Sequence, residues 1–209
     1  TPGHSSAASD VYKRQYPTAQ SVNGPVGGME YPMITFNGPR AELEDDGTRT
    51  YSRREKEYLI GVVIHEIGHI YFPMIVNSDE RQWTWMDEGL NSFVQFLAQE
   101  QWERDYPSRR GPAHKIVDYM KGDKSRISPI MSNSESIFQF GNNAYGKPAT
   151  ALNILRETIL GRDLFDYAFK IYSNRWKFKH PSPADLFRTM EDACLLYASP
   201  SPRDGRISR

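Results

Sequence analysis

One cysteine, Cys194, occurs in 209 residues, which excludes an internal disulfide framework and any cysteine-rich zinc module. Net charge is also missing. Lys and Arg total 26 and Asp and Glu total 26, so no global field draws the chain to nucleic acid or to an anionic membrane. No apolar run reaches the roughly 18 residues a membrane span needs. The longest, Tyr58 to Val76, is broken by His65, Glu66 and His69. No signal-peptide pattern opens the sequence, and compartment stays unread. Hydrophobic residues are only 38%, yet aromatics are 12%. Large side chains can therefore build the core of one domain, or of one domain with a small lobe.

The two ends differ from the middle. Residues 1–15 lack periodicity, and residues 194–209 turn rich in Ser, Pro and Arg after a short apolar patch. Both read as non-native or disordered tails around a domain over 16–193. Within it, Pro25–Gly38 reads as one extended segment, with Pro32 favouring an edge strand. Pro39–Tyr51 reads as a charged loop. Ser52-Arg53-Arg54-Glu55 is a capping-box pattern that opens a helix running to about Phe72, before Pro73. Asp87–Trp102 is a second helix, with Leu90, Phe93, Val94 and Leu97 on one stripe. Shorter helices follow over Pro112–Lys121 and Pro148–Leu160, the latter ended by Gly161, then one capped by Asp163 and one starting at Ser182. One β segment followed by helices makes an α+β, mainly α, chain.

The sharpest feature is His65-Glu66-Ile67-Gly68-His69 inside the first helix. Residues four apart share a helical face, so both imidazoles can reach one cation. Glu66 stands beside the first of them and can reach water on that cation. Neutral imidazoles suit zinc, which lowers the pKa of its water to about 7. Two histidines and a glutamate among Ile60, Val62, Val63, Ile64 and Ile70 would be costly to bury without such a role. A third histidine at the metzincin spacing is ruled out, because Phe72 and Ile75 occupy the Gly and His positions of that motif. His4, His114 and His180 read as surface residues. The carboxylate candidate is Glu88, nineteen positions after His69, at the start of the second helix. A helix–loop–helix return could bring it back to the histidines.

His-Glu-Ile-Gly-His followed at this interval by Trp85-Met86-Asp87-Glu88-Gly89 resembles the gluzincin zinc peptidases of the aminopeptidase-N type. Gly27-Gly28-Met29-Glu30-Tyr31 resembles that family's Gly-x-Met-Glu-Asn exopeptidase motif, with Tyr31 in place of Asn. Tyr145-Gly146-Lys147-Pro148 resembles its Tyr-x-Lys-Gly segment, with Pro148 in place of Gly. The resemblance runs from about Asn23 to Ala193, with the motifs in order. It implies a thermolysin-like gluzincin catalytic domain with a truncated N-terminal β edge, a fragment of a protein with further N- and C-terminal domains. It implies one zinc ion held by His65, His69 and Glu88, with Glu66 as general base and Tyr145 as donor to the oxyanion. Glu30 would pair with the free α-amine of a peptide substrate, while Gly27, Gly28 and Met29 admit its backbone. The implied activity is aminopeptidase, with a thermolysin-like endopeptidase or a non-catalytic zinc-containing binding domain as alternatives.

Other conspicuous side chains read more plainly. Trp83, Trp85, Phe138 and Phe140 suit core packing, with a substrate side-chain pocket as the sharper reading. Arg53-Arg54, Arg109-Arg110 and Lys121 suit solvated surface charge. Asp87 suits a supporting contact to a ligand histidine or a loop.

Overall fold

The computed structural model describes residues 16–38 and 40–198. The tail read at 1–15, and 199–209 of the other, lie outside the described residues. The chain divides into two compact units: Thr1–Met74 with Val94–Ser108, and Ile75–Phe93 with Arg109–Arg209.

The first unit holds the sheet. β1 (Gln20–Asn23), β2 (Gly28–Tyr31) and β3 (Ile34–Asn37) are ordered β1-β3-β2. β3 runs parallel to β1 and antiparallel to β2, with Gly28 opposite Asn37 and Glu30 opposite Thr35. The single extended segment expected over Pro25–Gly38 is thus a hairpin with Pro32 at its turn, and β2, the strand leading into that turn, lies at the sheet edge as expected. The reason is local. Proline presets φ at the first corner position, and Met33 takes the left-handed second corner (φ 68°). The expected loop over Pro39–Tyr51 carries a minimal hairpin of its own, β4 (Glu42–Leu43) with β5 (Arg49–Thr50).

β2 and β3 pack on α1 (Arg53–Gly68). The capping box forms as expected. Ser52 Oγ accepts from the Glu55 N–H (3.2 Å), and Glu55 Oε2 accepts from the Ser52 N–H (2.7 Å). α1 ends four residues before Phe72, because the turn ahead of Pro73 tightens into three-residue bonds from Ile70 N–H to Ile67 and from Tyr71 N–H to Gly68. His69 is the C-cap and keeps helical backbone angles (φ −61°, ψ −22°), so it stays in line with His65.

The second unit is helical. The helix expected from Asp87 opens as a π-helical turn, Trp85–Gly89, and continues as α2 (Leu90–Trp102), of which Leu90–Phe93 belong to this unit. A 3₁₀ turn, Ala113–Ile116, leads into α3 (Val117–Lys121), closed at Gly122. A second π turn, Gly141–Gly146, precedes α4 (Lys147–Ile154), so Pro148 lies inside a helical run that starts seven residues earlier than expected. A third π turn covers Leu155–Ile159. α5 (Arg162–Trp176) is capped by Gly161 (φ 80°), not by Asp163. α6 (Pro183–Ala198) packs on α5 and includes Cys194–Ala198, five residues placed in the tail by sequence. Phe93, Phe165 and Tyr172 are fully buried in this unit's core, with Phe93 edge-on to Phe165 at 5.4 Å. Trp85 is buried and stacks on Phe187, but Phe138 and Phe140 are 55% and 44% exposed, so core packing fails for those two. No described helix is long and apolar enough to cross a membrane.

Candidate functional site

In the first unit, four of the residues singled out by sequence converge. His65 and His69 are buried, and their Nε2 atoms stand 3.0 Å apart with the rings edge-on. Their tautomers follow from their neighbours. His69 Nδ1 faces the Phe72 carbonyl oxygen at 2.9 Å, which only accepts, so Nδ1 carries the proton. His65 Nδ1 faces Gln95 Oε1 at 2.9 Å, and the Gln95 amide is oriented by its own N–H₂ donating to the Gly61 carbonyl at 3.0 Å. Both neutral imidazoles therefore turn an Nε2 lone pair toward the same point. Two lone pairs at that separation repel unless a cation or a shared proton lies with them. This is the geometry a zinc ion uses, so these residues fit the metal.

Glu66 is buried on the same helix. The start of β2 passes directly over it, and a Cβ on Gly28 would fall inside contact distance of Glu66 Oε1. A side chain at 28 would displace the Glu66 carboxylate from this position. Strand alternation puts Glu30 on the same face of β2 as that missing Cβ, toward α1, where it is half-buried. Met29 and Tyr31 point the other way and are exposed, and around Gly27 there is open space. β2 is an edge strand of the described sheet.

In the second unit, Glu88 and Tyr145 meet. Each belongs to a π turn, a distortion that re-aims side chains and recurs at functional sites. The two turns pack together because Gly89 has no side chain: a Cβ there would lie 2.5 Å from Pro148 Cγ. The Tyr145 hydroxyl donates to Glu88 Oε1 at 2.5 Å. Burial, reinforced by the Glu88 charge, pushes the phenol above its ordinary value. Asp87 is buried in the same turn as Glu88.

Gln95 was not singled out by sequence. Its signal was there: Asn91, Gln95 and Gln99 recur every fourth residue along α2, a polar stripe that solvent does not explain. Asn91 and Gln99 are buried, and Gln99 Oε1 accepts from Ser108 Oγ at 2.8 Å. Gly61 makes room for this stripe, since a Cβ there would come within 3.1 Å of Gln99 Nε2.

The peptidase family M1 domain matches residues 10–199. The chain belongs to peptidase family M1. It is 27% identical over 177 residues to the glutamyl aminopeptidase of Sus scrofa, covering 81% of this chain and 18% of that protein. It is 29% identical over 178 residues to the probable aminopeptidase 1 of Sulfurisphaera tokodaii, covering 80% of this chain and 22% of that protein. The chain thus spans about a fifth of the length of these relatives. Among solved structures, an M1 zinc metallopeptidase of Deinococcus radiodurans bound to a Tyr-Ser-Ala substrate superposes with a TM-score of 0.59 at 19% identity, covering 97% of this chain and 46% of that one. A two-domain M1 zinc metallopeptidase bound to L-tryptophan superposes with a TM-score of 0.62 at 17% identity, covering 96% and 44%. These likenesses define the fold as that of an M1 catalytic domain.

Proposed function

We propose that the chain carries the catalytic centre of a zinc-dependent aminopeptidase, in which His65, His69 and Glu88 hold one zinc ion. The observation that carries this is the pair of Nε2 lone pairs held 3.0 Å apart, with each Nδ1 committed elsewhere. Two imidazoles and a carboxylate are a donor set that suits zinc and leaves a fourth position for solvent or substrate. When bound, zinc supplies Lewis acidity, making water a nucleophile near neutral pH and polarising the scissile carbonyl.

The protein's own groups do the rest. Glu66 takes the proton of the attacking water and returns it to the departing amine. Tyr145, whose hydroxyl stands beside Glu88, donates its hydroxyl hydrogen to the oxygen on which negative charge develops. Glu30, on the α1 side of β2, pairs with the substrate's free α-amine and limits the cut to one residue from the N-terminus. The open edge of β2 at Gly27, Gly28 and Met29 accepts the peptide backbone as an added strand. Membership of family M1 and the aminopeptidase names of the relatives support the same reading.

Two measurements test it. Glu66→Gln is expected to retain zinc and lose hydrolysis by at least about a hundredfold, the lower range for a removed general base; turnover within a few-fold of the parent would remove Glu66 from that role. N-acetylation of a peptide is expected to abolish cleavage that the free-amine form undergoes. Equal cleavage of both forms would favour an endopeptidase and free Glu30 from its assignment.

A further inference from the structure

The second unit contains a cavity of about 580 Å³ that the proposed chemistry does not use. Its volume lies within the range of small-molecule sites. Arg109, Arg110 and Lys115 line it, and no acidic side chain does among the described residues. By sequence the Arg109-Arg110 pair read as solvated surface charge, but the fold places both arginines on one concave wall with a lysine. Thr150 also lines the cavity. Phe140, exposed where core packing was expected, forms an apolar part of the same wall.

The cavity adjoins the reacting groups of its own unit. The Arg110 guanidinium carbon stands 4.1 Å from the centroid of the Tyr145 ring, and Phe140 lies edge-on to that ring at 6.0 Å. A substrate with its oxyanion at the Tyr145 hydroxyl would lie beside the ring that Arg110 covers. Planar guanidinium forks match carboxylates, and charge-assisted bonds in a recess are stronger than those on open surface.

We infer that this cavity is a carboxylate-binding subsite for the peptide substrate, with Arg109, Arg110 and Lys115 as its donors. The inference rests on the peptidase reading and adds substrate class to it: peptides carrying a negative charge close to the scissile bond. The carboxylate is either the C-terminus of a short peptide or the side chain of an acidic N-terminal residue.

Calorimetry with the zinc-loaded Glu66→Gln protein separates the two sources without turnover. One arm compares Leu-Gly-Gly with its C-terminal amide, and the other compares Glu-Gly-Gly-amide with Gln-Gly-Gly-amide. The charged member of one pair is expected to bind about tenfold more tightly. That preference should collapse toward one in Lys115→Glu and in Arg109→Glu, both exposed positions. Preference in the first arm assigns the C-terminus, and in the second the side chain. A ratio near one in both arms, or a preference that survives both substitutions, overturns the inference. Absence of hydrolysis by the parent protein would instead count against the peptidase reading, since the binding ratios do not depend on turnover.

Discussion

At the residue scale, the site depends on side chains whose job is to hold other side chains. Gln95 is the clearest. Its amide reads the Gly61 carbonyl on one side and fixes the His65 tautomer on the other. Without it, His65 could place its proton on Nε2 and lose its lone pair to a metal. Gln95→Leu is therefore expected to weaken zinc binding by about 10- to 100-fold, measured by competition with a chelator. Gln95→Glu, which keeps an acceptor facing His65, should restore most of that affinity. An unchanged affinity in Gln95→Leu would show that the Phe72 carbonyl and the packing of α1 suffice. The adjacency of His65 and His69 was legible, because four-residue spacing on a helix dictates a shared face. The tautomer lock was not, because it joins residues 30 positions apart and appears only when α2 lies against α1.

At the element scale, the turns and caps explain both what sequence foretold and what it missed. The capping box at Ser52 and Glu55 was readable because its chemistry is local. The π turns at Trp85–Gly89 and Gly141–Gly146 were not, since a regular helical period and one with an inserted residue look alike in a short segment. What selects them is tertiary: Gly89 must let Pro148 approach. This gives Pro148 a packing partner at the point where the chain departs from the Tyr-x-Lys-Gly pattern.

The last helix supplies a pH test at the same scale. The Asp185 carboxylate accepts from the Ser182 N–H (2.8 Å) and hydroxyl (2.7 Å) at the start of α6. These bonds, the backbone one foremost, hold its pKa below the ordinary carboxylate value. A lowered folded-state pKa means the contribution is present above the ordinary value and is lost as pH falls through the folded one. Asp185→Asn should therefore flatten the acid limb of a stability curve measured by urea unfolding between neutral pH and the acid transition. An acid limb identical to the parent's would contradict the cap.

At the scale of the whole molecule, the helices were more legible than the sheet. The order of helices came from periodicity and from capping signals. The three-stranded sheet did not, because β1 pairs with β3 across a hairpin and leaves no local mark. Nor did the cationic cavity, whose lining comes from segments between Arg109 and Thr150 that sequence treated separately. A metal that binds only the folded chain must stabilise it by mass action, by about 2.7 kcal/mol at a hundred times its dissociation constant. Removal of zinc by a chelator is thus expected to lower Tm by several degrees, and zinc alone should restore it. A Tm indifferent to chelation would mean that the two imidazoles are held together by the fold and a shared proton rather than by a metal.

The most direct measurement is the zinc content of the purified protein after exhaustive dialysis, in the parent and in Glu88→Gln and His69→Ala. One zinc per chain in the parent, with weakened retention in Glu88→Gln and loss in His69→Ala, is the expected result. Full retention by either variant, or a parent that holds no zinc under conditions where it is folded, would contradict the proposed ligand set.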